Sequence, residues 1–287
     1  MNSRQMGLRR CGLRRCGAIV AALLLLSATP GSTAGETAHP KPGQVVATYD
    51  TALAGISLGE FKVTTTIKGR AYRMVAKGRF SLLAGLVYKA TGRTTSSGTL
   101  TQAALRPATF TLDYDGGKKR EQRNIRFDND GVSKVHIVPR KKKKNRIPVT
   151  AEQLEDVLDP LTATFLAVRS NAPAGNLEVC RQTIPVFDGT QRFDVVLTPK
   201  RLESLSSRAP KGLSGPAAVC RVRYVPIAGH RPDHSGVEFM RKTEGIEVWL
   251  VPVRQMGLYL PYKILVPTGW GSGSITLTGL EVKSARP

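Results

Sequence analysis

Beyond residue 45, apolar and polar residues alternate with a period of two over most of the chain. Phe61, Val63, Thr65 and Ile67 alternate with Lys62, Thr64 and Thr66, and Ala108, Phe110, Leu112 and Tyr114 alternate with Thr109, Thr111 and Asp113. This repeat, with one apolar face, predicts strands half buried in an antiparallel sheet. Similar runs fall at about 45–53, 70–80, 86–96, 120–128, 191–198, 218–226, 245–253, 262–267 and 273–283. Asp115-Gly116-Gly117, Asn129-Asp130-Gly131 and Asp188-Gly189 stand between runs, where tight hairpins need positive φ. The expected fold is mainly β: a strongly curved antiparallel meander or incomplete β-barrel, forming a single domain over 45–287.

One segment, near 150–170, departs from this rhythm. Leu154, Val157, Leu158, Leu161, Phe165 and Leu166 recur at helical spacing, Thr150 with Gln153 offers a capping box, and Asp159-Pro160 offers a second helix start. Two short helices are expected there, plugging or flanking the concave side of the sheet. Pro139-Arg140-Lys141-Lys142-Lys143-Lys144-Asn145-Arg146 just before them repels itself and reads as a solvated loop. The Ser-, Gly- and Pro-rich stretch from Lys200 to Pro216 reads as a second long loop.

The N-terminus carries different information. Arg4, Arg9, Arg10, Arg14 and Arg15 precede the apolar run Ala18–Leu26, which is too short to remain as a membrane span. Pro30-Gly31 and the small residues Ser32-Thr33-Ala34 follow. Residues 1–34 therefore read as a secretory signal peptide cleaved between Ala34 and Gly35, with 35–44 as a flexible lead-in and a periplasmic destination. The general secretory route is expected, since no twin-arginine motif follows the arginine pairs. Cys11 and Cys16 precede the apolar run, where lipoprotein processing does not use them. No transmembrane segment is expected in the mature chain.

Export changes the reading of charge. The chain has 43 Lys+Arg against 21 Asp+Glu, and losing the five leader arginines leaves 38 against 21. In an exported protein this points away from nucleic acid and toward lipid or an anionic envelope polymer as partner, with general solubility as the plainer account. Two cysteines remain, Cys180 and Cys220. In an oxidising compartment they are expected to form one disulfide, the alternative being two buried thiols.

Candidate chemistry is sparse. His230-Arg231-Pro232-Asp233-His234 could ligate a metal, but Pro232 removes the helical spacing of zinc enzymes, and an exposed polar turn is the expected state. Ser214, in Gly212-Leu213-Ser214-Gly215, lacks a strand-to-helix elbow. Gly269-Trp270-Gly271-Ser272-Gly273-Ser274 lacks the Lys-Ser/Thr pair of a phosphate loop and reads as a turn. Asp188, Asp194 and Glu238 are the carboxylates available for glycoside chemistry, whose convergence sequence does not reveal. No cofactor, metal or catalytic residue is assigned.

Four runs also resemble a known family. They are Tyr49-Asp50 with Gly55-Ile56-Ser57-Leu58-Gly59-Glu60; Leu158-Asp159-Pro160-Leu161-Thr162-Ala163; Val186-Phe187-Asp188-Gly189-Thr190-Gln191-Arg192-Phe193-Asp194; and Cys220-Arg221-Val222-Arg223-Tyr224-Val225-Pro226-Ile227-Ala228-Gly229-His230. Their order resembles the exported bacterial proteins of domain of unknown function family 3108, over roughly Val45 to Val282. The resemblance implies a signal-bearing envelope protein with a curved antiparallel sheet and supplies no catalytic residue. The functional expectation is a non-enzymatic binding or scaffolding protein of the cell envelope, holding an apolar or lipid ligand. The alternative is an envelope-glycan hydrolase or modifying enzyme.

Overall fold

The alternation resolves into fourteen strands in a computed structural model that describes residues 43–82, 88–100, 105–139, 145–164, 166–167, 175–213, 215–253 and 258–284. The first seven are β1 (Gly43–Leu53), β2 (Ile56–Lys68), β3 (Ala71–Leu82), β4 (Tyr88–Leu100), β5 (Leu105–Asp115), β6 (Arg120–Asp128) and β7 (Gly131–Val138). After the irregular stretch come β8 (Leu166–Ala167), β9 (Gln182–Phe187), β10 (Arg192–Glu203), β11 (Ala217–Ala228), β12 (Glu247–Val253), β13 (Leu258–Thr268) and β14 (Gly271–Ser284). Thirteen of them lie in the order β7-β6-β5-β4-β3-β2-β1-β14-β13-β12-β11-β10-β9, and β8 pairs with β13 off this path. Two meanders thus join where the first strand meets the last, with Val45 opposite Val282 and Tyr49 opposite Leu277. The end strands β7 and β9 do not pair with each other, so the sheet stays unclosed. Strand β1 starts at Gly43, so the last two residues of the expected lead-in belong to the sheet.

Directly opposed residues of paired strands share a face. One face therefore runs Phe110, Ser96, Met74, Thr65, Val45 across β5 to β1. The same face passes through Tyr49, Leu277 and Ile275 to Ile264, Val248 and Cys220 on β13, β12 and β11. Residues 157–164 touch this face on both meanders: Asp159 and Thr162 reach Ser96, and Pro160, Ala163 and Thr164 lie against Val186, Val222 and Val248. The sheet is wrapped around this segment, which is the plug expected from the sequence.

The plug is not two helices. It contains single 3-10 turns at Glu152–Leu154 and Thr162–Thr164. Between them Glu155 is extended and Asp156 has φ +50, which ends the helical path. Half of the expected capping box forms, with Thr150 N donating to Gln153 Oε1 at 3.2 Å, but no side chain caps the first turn. Leu158 instead bridges β9 in parallel, donating its N–H to Pro185 O at 2.8 Å and accepting from Phe187 N at 2.9 Å. The apolar residues that suggested one helical face are divided. Leu154, Val157 and Leu161 join one cluster of buried side chains, and Leu158 and Ala163 join another. Phe165 and the basic run 140–144 lie outside the described residues.

Two further differences concern connections. Strand β10 extends to Glu203, which shortens the second loop to 204–216. That loop is not freely solvated: Leu205, Ala209 and Leu213 pack against the cluster that contains Trp249, Val251 and Tyr262, and Ser206 Oγ lies 2.9 Å from the Tyr262 hydroxyl. An unexpected helix, α1 (Ser235–Lys242), starts after His234, whose Nδ1 accepts from Val237 N at 3.4 Å. Pro232 stands ahead of the cap and does not interrupt it.

Candidate functional site

The plug is held by a buried polar network centred on Asp159, which has no solvent exposure. Pro160 follows as the first residue of the turn, where its missing N–H is not needed. As a carboxylate, Asp159 accepts through Oδ1 from Leu161 N and Thr162 N, each at 2.9 Å. Oδ2 accepts from Ser96 Oγ at 2.9 Å and Thr162 Oγ1 at 2.6 Å. With its own proton on Asp159, Thr162 Oγ1 can accept from the Tyr72 hydroxyl at 2.9 Å. Burial pushes the Asp159 carboxyl above the ordinary carboxylate range, although Thr162, Ser96 and Leu161 pull the other way. Burial also raises the Tyr72 phenol. These bonds tie Asp159 and Thr162 of the plug to Ser96 and Tyr72 of the sheet.

Next to this anchor lies a cavity of about 240 Å³. Its wall includes Ile184, Val195, Leu197, Val222, Val248 and Ile264 from five strands, with Pro160, Ala163 and Thr164 of the plug along one side. Nearly every side chain is apolar. The hollow is open to solvent on one side, and its apolar lining suits a hydrocarbon surface.

A second cluster forms where the β9–β10 hairpin meets the end of β11. Asp188 builds the hairpin, with Oδ1 accepting from Thr190 N at 2.8 Å and Gln191 N at 2.7 Å. Its Oδ2 lies 2.8 Å from Arg123 NH1, which also donates to Asp188 O at 2.6 Å. Gly229 has φ +80, and a Cβ there would stand 1.8 Å from Thr190 O, so glycine alone fits. Burial, then the Asp188 carboxylate, raises the Tyr224 phenol. Thr190 Oγ1, Gln191 Oε1 and His230 Nδ1 are buried here without a hydrogen-bond partner among the described residues.

Of the candidate carboxylates, Asp188 and Asp194 share the β9–β10 hairpin and Glu238 lies on α1. Asp188 serves Arg123 and its own turn, and Asp194 pairs with Arg192 at 2.5 Å. Glu238 sits on α1 between Arg241 and Lys242, whose hydrogen bonds lower its pKa to about 2. Each of the three carboxylates is thus engaged by a cation: Arg123 for Asp188, Arg192 for Asp194, and Arg241 with Lys242 for Glu238. The His230–His234 turn is only partly exposed: His234 caps α1, whereas His230 is buried at 8% exposure because Ile147 and Arg146 close over the β11 end. Among the described residues no three metal-ligating side chains gather. Gly269 and Trp270 form the β13–β14 turn and Gly271–Ser274 open β14, a turn into the last strand as expected. Ala34, Gly35 and Ser214 lie outside the described residues. Cys180 and Cys220 are joined, with Cα atoms 5.3 Å apart, and both are fully buried.

Sequence reasoning did not find the Asp159 network. Its signal was the Leu158–Ala163 run, read locally as a helix start, whereas Tyr72 and Ser96 are 90 and 66 positions from Thr162.

Comparison with known proteins follows the same lines. A family described as "Protein of unknown function (DUF3108)" matches residues 47–278. No curated protein matches the chain. Among solved structures, a beta-barrel-like protein of domain of unknown function DUF1849 from Brucella abortus is 8% identical with a TM-score of 0.45. That alignment covers 85% of this chain and 98% of that one. No helix of the described residues is long and apolar enough to cross a membrane.

Proposed function

The chain belongs to the DUF3108 family, whose function is unknown, and from that premise we propose that it is an exported, non-enzymatic envelope protein that holds an acyl chain beside its plug. The observation that carries this reading is the apolar cavity between Ala163 and the strands bearing Val195, Val222 and Val248. Its volume of about 240 Å³ is below the roughly 300–1,000 Å³ of drug-sized sites, which suits one segment of a hydrocarbon chain. The N-terminal leader pattern and the Cys180–Cys220 disulfide support export, since disulfides persist in oxidising compartments. A glycan-cleaving role finds less support, because Asp188, Asp194 and Glu238 are each engaged by a basic side chain.

Native mass spectrometry of protein taken from the envelope tests this. The wild-type chain should carry a lipid mass that denaturation releases. Ala163→Phe or Val222→Phe, which fill the cavity, should lose that mass while keeping a cooperative thermal transition. A wild-type protein that carries no lipid after gentle extraction, or filled variants that carry as much, would remove the acyl-chain reading.

A further inference from the structure

We propose that one end of the sheet docks on an anionic lipid surface, led by Trp270 and Ile56. The β1–β2 and β13–β14 turns lie side by side, because β1 and β14 are antiparallel neighbours with Leu53 opposite Gly273. They touch: Ala54 N donates to Ser272 O at 3.0 Å, and a side chain on Gly271 would meet Ala54 Cβ at 2.8 Å. At these turns stand the two most exposed large apolar side chains of the described residues, Trp270 at 86% and Ile56 at 67%. Tryptophan is favoured at a membrane–water boundary, where its ring is covered and its N–H stays wet.

Cations also stand on the outward faces of β2, β3 and β4 in the part of the sheet that leads to this end. Lys62, Lys77 and Arg93 stand abreast on three adjacent strands, with Arg79 and then Lys89 nearer the turns. Like charges directly opposed across strands repel, which a phosphate between them would relieve. Four acids share this face with the five cations: Asp50 is opposite Glu60, Glu60 is opposite Arg79 and 4.0 Å from Lys62, Asp113 is opposite Arg93, and Asp115 is opposite Thr91. Cations alone would suit any polyanion. The apolar tip ahead of them selects a bilayer, where tryptophan enters the headgroup layer and the lysines and arginines meet phosphate. This surface is separate from the cavity and stands even if the cavity proves empty.

The chain has two tryptophans, and Trp249 is only 5% exposed, so quenching by brominated acyl chains reads Trp270. The protein purified after export, freed of residues 1–34, is mixed with vesicles of equal phosphatidylglycerol and phosphatidylcholine, with phosphatidylcholine vesicles and with soluble polyphosphate. Trp270 should be quenched in the anionic vesicles alone. Trp270→Ser with Ile56→Ser, and separately Lys77→Glu with Arg93→Glu, should each weaken binding to those vesicles at least tenfold, since each surface cation contributes about fivefold. Both pairs are exposed, so a preserved thermal transition checks folding. Unquenched Trp270 in vesicle-bound protein, unchanged affinity of either variant, absent vesicle binding, or binding to polyphosphate alone would overturn the proposal.

Discussion

Strands β2 to β6 and strands β9 to β13 belong to one sheet but are built differently. In the first group one face is apolar, with Val63, Met74, Phe110 and Ile125 buried, and the other is polar and charged, with Lys62, Arg73, Lys77 and Arg93 exposed. In the second group β12 is apolar on both faces, while β10 and β11 still alternate in part, with Thr198, Arg221 and Arg223 exposed. On β12, Trp249 and Val251 enter one cluster while Val248 and Leu250 enter the other. Trp249 is covered by Lys263 at 5.0 Å and Arg201 at 5.5 Å, and Glu247 binds Lys200 and Arg201. A sheet facing water needs alternation, whereas one covered on both sides needs continuous apolar runs such as Val248-Trp249-Leu250-Val251. The second group is covered by the plug, the loop 204–216 and the disulfide, and there the cavity sits.

The largest effect expected from breaking this contrast is loss of the bridge. Cys180→Ala with Cys220→Ala opens a loop of 40 positions, which by chain entropy destabilises by about 4 kcal/mol. Thermal unfolding should show a fall of roughly 8–16 °C, and a fall of under about 2 °C would mean that the covered half does not need its staple. Truncating neighbours compares the faces directly. Trp249→Ala and Leu250→Ala, adjacent on β12, should cost about 4 and about 3 kcal/mol. On β3, Met74→Ala should cost about 3 kcal/mol, but Val75→Ala less than about 1. Equal costs at positions 74 and 75 by denaturant titration would end the distinction.

A smaller effect is pH-dependent. Because burial raises the Asp159 carboxyl above its unfolded value, folding favours its neutral form. Its contribution is greatest below the ordinary carboxylate pKa and declines as pH rises through the raised folded value. The melting temperature of Asp159→Asn, relative to wild type, should therefore improve from acid toward neutral pH, and a constant difference would place the charge elsewhere. The smallest change expected is at Lys77→Thr, where relief of repulsion from Lys62 and Arg93 should add a few tenths of a kcal/mol at low salt and less at high salt.

The strands and hairpins were legible because a two-residue period and Asp-Gly turns are local signals, as in Phe61–Ile67 and Asp188-Gly189. The disulfide was legible because Cys180 and Cys220 are the two cysteines beyond the arginine-rich N-terminal segment. The plug was misread in form because Val157 and Leu161 serve one cluster and Leu158 another, and a segment crossing between two apolar surfaces imitates helical spacing. Asp159 does accept the N–H groups expected of a turn start. Its second oxygen is satisfied by Ser96, 63 positions away, and no local pattern marks that pairing. Helix α1 was missed because eight residues carry little periodicity and Pro232 drew attention to the turn before it.

The seam between β1 and β14 also sets an order of events. Within each meander, successive hairpins can zip from neighbouring sequence, which is fast because little chain must be closed. Tyr49, however, finds its partner Leu277 only when the last strand exists, so the oldest strand waits for the youngest. Until then β1 offers an unpaired edge, a template for another chain as much as for its own. Completion of the sheet is thus tied to completion of the polypeptide, and a chain cut short before Gly271 would leave β1 without the neighbour that joins the two halves.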